Sequence, residues 1–256
     1  MDKSKLIEQL QDDDNYYGKL GQSYLSNSDI LELMKNPQKF KIQKESGERE
    51  APSPEMLFGR YFHQEILEPE KTSEWETVNV KSRNTKAYQT KKAESNSDFL
   101  LDVEVEQAKR MADRLMNVKE VFDMIDITQS DKEVPEVGMV LDGSRYLWKG
   151  KADVFNRERN LVVDLKTTAS MKNFKNSFYS YNYHSQAYIY SQLFDANYQL
   201  VVIDKNTFQI AMPEISDYAI EKGQELVRQA EEQYYKYVDP KGAGEDASQH
   251  VIKFLI

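Results

Sequence analysis

The 256-residue sequence contains no cysteine. This absence excludes disulfide bonds, metal sites built from thiolates and cysteine nucleophiles. The side chains that remain for holding a metal ion are those of His, Asp and Glu. Sites rich in oxygen ligands suit Mg²⁺ or Mn²⁺, so these are the cofactors we expect if the protein binds a metal.

Long apolar runs are also missing. No stretch of about eighteen apolar residues is present, and the first residues, MDKSKLIEQLQDDD, lack the apolar core of a secretory signal. We therefore expect a cytoplasmic protein with no membrane partner. A chain that is 39% hydrophobic over this length can bury one substantial core. We expect one domain over residues 23–238, a polar segment over 1–22 and a tail over 239–256.

Positive charge is in short supply, since the formal net charge is −9. Taken alone, this balance argues against a nucleic-acid partner. One region differs, because no acidic residue lies between Glu76 and Glu94. The bases of this basic segment are Lys81, Arg83, Lys86, Lys91 and Lys92. The pattern suits a solvated surface as well as it suits a path for DNA phosphates; we expect it to contact phosphates.

The hydrophobic periodicity predicts helices on both sides of a group of strands. Ser53-Pro54 opens a helix with an apolar stripe. From Glu133 the period changes, and VPEVGMVLDGSRYLWKGKADVF predicts two strands joined across Asp142-Gly143. LVVDL, at 161–165, predicts a further strand, and helical and strand patterns alternate up to residue 237. This order is typical of an α/β protein.

Two carboxylates and a lysine stand out within GKADVFNRERNLVVDLKTT. Asp153 ends one hairpin strand, while Asp164 and Lys166 share one face of the next because side chains alternate along a strand. A carboxylate inside LVVDL is costly to bury unless its charge is compensated, for example by a divalent cation shared with Asp153. Such a site suits phosphodiester hydrolysis. By itself, D-x-K is more often a surface Asp–Lys pair on an edge strand.

Helical spacing adds three candidate residues. Gly59 lies four residues before His63, which leaves open space beside the imidazole and can direct it at a metal. Gln186 and Tyr190 also lie four apart and share a helix face, where an amide and a phenol can contact a nucleic acid. Ordinary packing of a core histidine and an amphipathic helix explains the same spacings.

Taken in order, these residues resemble the exonuclease VIII (RecE) branch of the PD-(D/E)XK nucleases, which is related to the RecB nuclease domain. The resemblance runs from about Tyr24 to Phe194. It includes YLSNSDILELMKNPQKF, SPEMLFGRYFHQEILEP, RNTKAY, KGKADVF, VVDLKTT and YHSQAYIY. It implies a restriction-endonuclease-like α/β core, in which helices flank a central mixed β-sheet.

The resemblance also implies roles for individual residues and partners. The implied metal ligands are His63, Asp153, Asp164 and the Leu165 carbonyl, with Lys166 catalytic and Gln186 and Tyr190 assisting. The implied activity is processive 5′→3′ degradation of linear double-stranded DNA from its ends. The implied assembly is a homo-oligomeric ring, a trimer or tetramer, that works beside a single-strand annealing protein.

Many relatives carry an additional glutamate on the strand before Asp153, and both Glu133 and Glu136 are available here. A two-residue turn at Asp142-Gly143 would place Glu136 on the same face as Asp153, whereas a three-residue turn favours Glu133. We favour Glu136 as the additional ligand.

Two other functions compete with this one. A nuclease specific for single strands or flaps, or an endonuclease, could use the same centre, because strand preference depends on the shape of the channel. A DNA-binding or assembly module without activity is the other alternative. The intact Asp153, Asp164 and Lys166 argue against it.

Overall fold

The computed structural model describes residues 2–47, 51–95, 97–125 and 130–251. The α-helices in these ranges are α1 (Lys3–Leu10), α2 (Asp13–Tyr17), α3 (Asn27–Lys35), α4 (Pro37–Ser46), α5 (Pro54–Leu67), α6 (Lys86–Ser95), α7 (Asp102–Met116), α8 (Lys119–Ile125), α9 (Phe174–Ser180), α10 (Tyr183–Phe194) and α11 (Asp217–Tyr237). The strands are β1 (Thr77–Val78), β2 (Leu100–Leu101), β3 (Asp131–Gly138), β4 (Trp148–Asn156), β5 (Leu161–Thr168), β6 (Asn197–Asp204) and β7 (Ile210–Ala211). No helix within these ranges has the length and apolar character needed to cross a membrane.

The main sheet has five strands in the order β3-β4-β5-β6-β7. Neighbouring strands are antiparallel except β5 and β6, which are parallel. A parallel pair needs a crossover connection, and α9 and α10 supply it. The predicted α/β class with a central mixed sheet flanked by helices is therefore confirmed.

Helices cover both faces of this sheet and bury a core on each. On one face α5, α7 and α8 pack on the strands, with Phe62, Leu115 and Leu165 fully buried. On the other face α3, α10 and α11 bury residues such as Trp148 and Val227. All nine residues of β4 are buried, because this strand lies between two neighbours and under helices.

The connection between β3 and β4 differs from the predicted two-residue hairpin. A turn does form at Asp142-Gly143, where Gly143 has a φ of 72°, a value that glycine adopts without strain. The strands, however, pair only up to Gly138 and Trp148. Residues 139–147 form a longer connection because Ser144 and Tyr146 hydrogen-bond to side chains on or just after α11.

The amino-terminal helices pack against the same sheet. Leu6, Leu10 and Tyr16 form a small apolar cluster with Val137 of β3. The described part of the polar segment 1–22 therefore packs at the edge of the sheet that β3 forms.

Candidate active site

The candidate site lies where β4 and β5 separate. The two strands pair over Val154–Asn156 and Leu161–Val163. The pairing ends at Val154 and Val163, and the next residue beyond it is Asp153 on β4 and Asp164 on β5. Beyond this pairing, the backbone N–H of Leu165 donates a 2.7 Å hydrogen bond to a side-chain oxygen on β4, Oδ2 of Asp153. The divergence of the strands thus creates a small opening with a buried carboxylate on each side.

Helix α5 brings His63 to this opening. The helix begins after Ser53, whose hydroxyl accepts a hydrogen bond from the backbone N–H of Met56, and Pro54 occupies its first position. The imidazole Nδ1 lies 3.4 Å from Oδ1 of Asp153. A Cβ placed at Gly59 would meet no atom within 4 Å, so the space predicted beside the imidazole is present.

Glu133 of β3 completes a group of three ligand-type side chains. Ligand atoms of His63, Glu133 and Asp153 all lie within 4.8 Å of one another. Glu133 has a φ of 48°, a left-handed conformation that is uncommon for a residue with a side chain. Such local strain is typical of functional positions.

The preference for Glu136 is corrected by the register. Lys132 pairs with Val154 and Val134 with Ala152, so Glu133 is the residue opposite Asp153. The carboxylate of Glu136 instead forms a 2.8 Å salt bridge with Lys3 of α1. The error came from the assumed tight turn, because shifting the pairing by one residue exchanges the two faces of a strand.

Asp164 is held by two side chains within the opening. Gln186 of α10 donates a 2.7 Å hydrogen bond from Nε2 to Oδ1 of Asp164. The ammonium of Lys166 contacts the other carboxylate oxygen. Asp164 stands beside the group of three rather than within it, and the ligand role predicted for Asp164 and for the Leu165 carbonyl stays a prediction.

Tyr190 lies near the opening but uses its hydroxyl on the backbone. The hydroxyl donates to the carbonyl of Lys151 at 3.0 Å and accepts from the N–H of the same residue at 3.3 Å. Gly150 makes this approach possible, because a Cβ there would lie 2.8 Å from Cε1 of the Tyr190 ring. The structure therefore places Tyr190 where it supports β4, two residues before Asp153.

Sequence reasoning missed the contribution of α2, which lies beside the opening. Asp13 forms a 2.6 Å salt bridge with Lys151, a buried lysine that points from β4 toward α2. Burial and the nearby carboxylate of Glu133 raise the pKa of Tyr17 to about 12. No local pattern in MDKSKLIEQLQDDDNYY indicates these contacts, since they depend on how the amino terminus crosses the sheet.

The pKa shifts at the opening reflect the burial of several acids close to one another. Burial and the charge of Asp153 raise the pKa of Glu133 to about 7. Burial also raises the pKa of Asp164 to about 6, although Lys166 opposes the shift. The pKa of Asp153 is lowered despite its burial, because His63 and Lys166 stabilise the carboxylate. The pKa of His63 is raised by the same partner, Asp153, against the effect of burial.

These features fit a divalent cation. The group offers one imidazole nitrogen and two carboxylates at close range, and the pKa of Glu133 is elevated because its carboxyl is buried close to the charge of Asp153. A cation at this position would offset the cost of crowding the acids. Oxygen-rich donor sets of this kind favour Mg²⁺ or Mn²⁺.

The basic segment is largely engaged in contacts within the protein. Arg83 forms two hydrogen bonds with Glu104, at 2.6 and 2.7 Å, and Lys92 binds Asp98 at 2.8 Å. Lys91 lies 3.3 Å from Glu76. Lys81 and Lys86 are exposed. These two lysines are therefore the members of the segment with most freedom to contact phosphates.

Fold and site together define a PD-(D/E)XK-type domain. Residues 26–243 match the family described as PDDEXK-like domain of unknown function (DUF3799). The chain belongs to this family, which confirms the predicted relationship to the PD-(D/E)XK nucleases and supports a nuclease.

Two solved structures are similar to the chain. One is the crystal structure of SSO0001, with 21% identity and a TM-score of 0.34, covering 71% of this chain and 87% of that one. The other is a phage related exonuclease from Haemophilus somnus 129PT, with 13% identity and a TM-score of 0.34, covering 82% and 93%. The search of curated proteins found no match.

A matched pair of substitutions tests the register at the site. Glu133→Gln is expected to weaken Mn²⁺ binding by about 10- to 100-fold, since one of three clustered ligand groups loses its charge. Glu136→Gln, on the same strand, should leave the affinity unchanged because its partner is Lys3. Isothermal titration calorimetry measures both. A larger loss for Glu136→Gln than for Glu133→Gln would contradict the assignment.

Proposed function

We propose that the protein is a Mg²⁺-dependent exodeoxyribonuclease that degrades linear double-stranded DNA from its ends. The observation that carries this proposal is the close group of His63, Glu133 and Asp153 beside the buried Asp164 and its half-buried partner Lys166. A site for a cation next to a lysine is what phosphodiester hydrolysis needs, since charge builds up on the phosphate oxygens during the reaction.

The proposed roles follow from the contacts. His63, Glu133 and Asp153 would hold the cation, with Asp164 adjacent. When bound, the cation supplies Lewis-acid polarisation of the phosphate and activation of water. Lys166 places an ammonium group beside Asp164, where it can orient a water or stabilise the charge on the phosphate. Its pKa is raised by Asp164 and Asp153 against the effect of burial, so the amine stays protonated.

Gln186 has a positioning role in this proposal. Its amide fixes one oxygen of Asp164, which leaves the second oxygen for Lys166. Because Gln186 is itself buried on α10, the orientation of Asp164 is set before substrate arrives. Preorganisation of this kind lowers the reorganisation needed during the reaction.

The finer features of the proposal rest on the resemblance to the exonuclease VIII branch. They are 5′→3′ polarity, processivity, a homo-oligomeric ring and cooperation with a single-strand annealing protein in recombination. We also propose a cytoplasmic location. The alternatives with the same centre are a single-strand or flap nuclease and an endonuclease.

One experiment separates these activities. Purified protein is incubated with Mg²⁺ or with EDTA, and with linear duplex, covalently closed circular duplex or single-stranded DNA. The proposal predicts Mg²⁺-dependent release of nucleotides from linear duplex, with label lost first from 5′ ends, and no cleavage of the closed circle. Cleavage of the circle identifies an endonuclease, and preference for single strands identifies the other alternative.

The exposed lysines of the basic segment give a second test. Replacing Lys81 and Lys86 by Gln should weaken binding to duplex DNA at any sequence and reduce the slope of log affinity against log salt by about 0.9 per lost phosphate contact. The matched control replaces Lys109 and Lys119, which lie on α7 and α8 in ion pairs with acids of the same helices. An unchanged slope for the Lys81 and Lys86 variant would show that the basic segment is a solvated surface that does not contact phosphates.

A ring is the expected assembly, because a processive enzyme needs a topological hold or an extensive contact surface, and a chain of net charge −9 offers little basic surface. Light scattering at several concentrations should give a trimer or tetramer. A monomer that is still processive would contradict the ring. The apolar terminus VIKFLI, residues 251–256, could dock on a neighbouring subunit or on the core of its own chain; residues 252–256 lie outside the described residues. Deletion of 251–256 that leaves the oligomer intact would remove only the contact with a neighbour.

A further inference from the structure

A second region of the chain combines basic and aromatic residues next to the proposed site. No acidic residue lies between Asp164 and Asp195, in a chain with 43 acidic residues. This stretch carries Lys166, Lys172 and Lys175, and it begins at the site itself. Its aromatic residues up to the start of α10 are Phe174, Phe178, Tyr179, Tyr181 and Tyr183.

The rings of this stretch form a connected series that starts at Lys166. The ammonium of Lys166 lies 5.1 Å from the ring centroid of Tyr183. The Tyr183 centroid lies 5.9 Å from that of Tyr181, whose side chain is 61% exposed. Phe178 connects the same series to Tyr179, with centroids 5.2 Å apart. Aromatic surface therefore continues from the catalytic lysine to the solvent.

A groove of about 1260 Å³ adjoins these rings. It lies between α9, the start of α10 and the first turns of α11. Tyr179, Tyr218, Lys175 and Lys222 are among its lining residues, and Tyr218 is 60% exposed. This volume exceeds the roughly 300–1,000 Å³ that is usual for small-molecule sites, which favours an extended ligand.

Charge in the groove is compatible with a polyanion at the α9 side. Lys175, which lines the groove, belongs to the stretch without acids and forms no ion pair in the described part of the chain. On the α11 side Glu225 is paired with Lys222 at 2.7 Å, and Glu214 also lines the groove. Phosphates are therefore expected along α9, with bases directed to the rings.

We propose that this aromatic groove binds a single-stranded segment of nucleic acid that is continuous with the strand at Lys166. The proposal rests on the nuclease function, because two rings that line the groove, those of Phe174 and Phe178, contact Tyr183, which lies beside Lys166. Tyr179 and Tyr218, which line the groove and are exposed, offer ring faces on which unpaired bases stack, and Lys175 binds the phosphates. A duplex cannot use these rings, since its bases are already stacked on one another.

The test measures binding apart from hydrolysis. Fluorescence anisotropy in EDTA gives the affinity for a labelled oligothymidine and for a blunt duplex of equal length. Tyr218→Ala and Tyr179→Ala are each expected to weaken single-strand binding by roughly 5- to 100-fold, the usual effect of removing a stacking ring. Lys175→Gln should weaken it and reduce its salt dependence. Affinity for the duplex should change much less.

Tyr235→Ala is the matched control, because Tyr235 lies on the same helix as Tyr218 but its ring packs against Arg145. Single-strand affinity that is unchanged in the groove variants, or equally reduced in the control, overturns the proposal. So does an equal loss for duplex and single strand. If the groove variants change the oligomeric state in light scattering and keep their single-strand affinity, the groove is a subunit interface and the proposal is wrong.

Failure of this inference is distinguishable from failure of the nuclease function. Hydrolysis of linear DNA by the unmodified protein with Mg²⁺ tests the function alone. If the unmodified protein is active and its groove variants bind single strands normally, only the proposal for the groove is wrong. Inactive protein would overturn the nuclease assignment, whatever the groove variants show.

Discussion

Replacing Asp153 by Asn is expected to lower the rate of DNA hydrolysis by about 10³-fold or more. The side chain contacts His63 and is one of the three clustered ligand groups. Loss of its charge removes Lewis-acid assistance worth several kcal/mol, and each ~1.4 kcal/mol corresponds to tenfold in rate. The amide oxygen of Asn can still accept the hydrogen bond from the N–H of Leu165, so packing at the opening should persist.

The control for this variant is Asp131→Asn. Asp131 lies on β3 and pairs with Arg157 in a half-exposed salt bridge, a contact that contributes about 1 kcal/mol or less to stability. Hydrolysis should be unaffected there, and thermal unfolding should show both variants folded. If the Asp153→Asn variant hydrolyses DNA as fast as the unmodified protein does, the assigned site is wrong.

Replacing Lys166 by Met is expected to lower the rate of hydrolysis by roughly 10²- to 10³-fold, the usual cost of removing a group that stabilises charge in the transition state. The aliphatic part of the side chain is kept, so its packing beside Tyr183 should survive. Unlike the change at Asp153, this substitution should leave Mn²⁺ affinity unchanged or higher, because it removes a positive charge near the cation site.

Calorimetry and kinetics on the same preparation separate the two effects. Lys205→Met is the matched control, since Lys205 is a partly buried lysine that lies over the ring of Phe58, away from the carboxylates of the opening. Equal loss of metal binding in Lys166→Met and Asp153→Asn would contradict a role for Lys166 in the reaction and indicate a structural one.

The local elements of the fold were predictable from the sequence because their signals are local. The helix that carries His63 begins at Ser53-Pro54, as capping and proline preferences predict. The strand of Asp164 and Lys166 follows from its apolar run and period. Alternation correctly placed Asp164 and Lys166 on one face, and the structure shows them in contact.

What the sequence did not specify depends on contacts between distant segments. The choice between Glu133 and Glu136 required the strand register, which is set by the contacts of residues 139–147 with α11 and not by the turn at Asp142-Gly143 alone. Tyr190 shows the same limit, because its spacing from Gln186 predicts a shared face but not that its hydroxyl binds the backbone of Lys151.

The basic segment shows why charge patterns are weak evidence for a binding surface. Its residues form an acid-free run in the sequence, yet in the fold Arg83 forms a salt bridge with Glu104 and Lys92 forms one with Asp98. The acid-free run after Asp164 is different, because it begins at the site and its lysines accompany exposed rings. The positions of these rings depend on the fold and could not be predicted from the charge pattern alone.

We propose that His63, Glu133 and Asp153 hold the divalent cation of a nuclease. Anomalous diffraction from crystals soaked in Mn²⁺ locates the cation, with the same preparation shown to hydrolyse linear DNA in that metal. We expect a Mn²⁺ peak within coordination distance of these three side chains, and we expect it to be lost in Asp153→Asn crystals. A peak elsewhere, with no density between the three residues in an active protein, would contradict it.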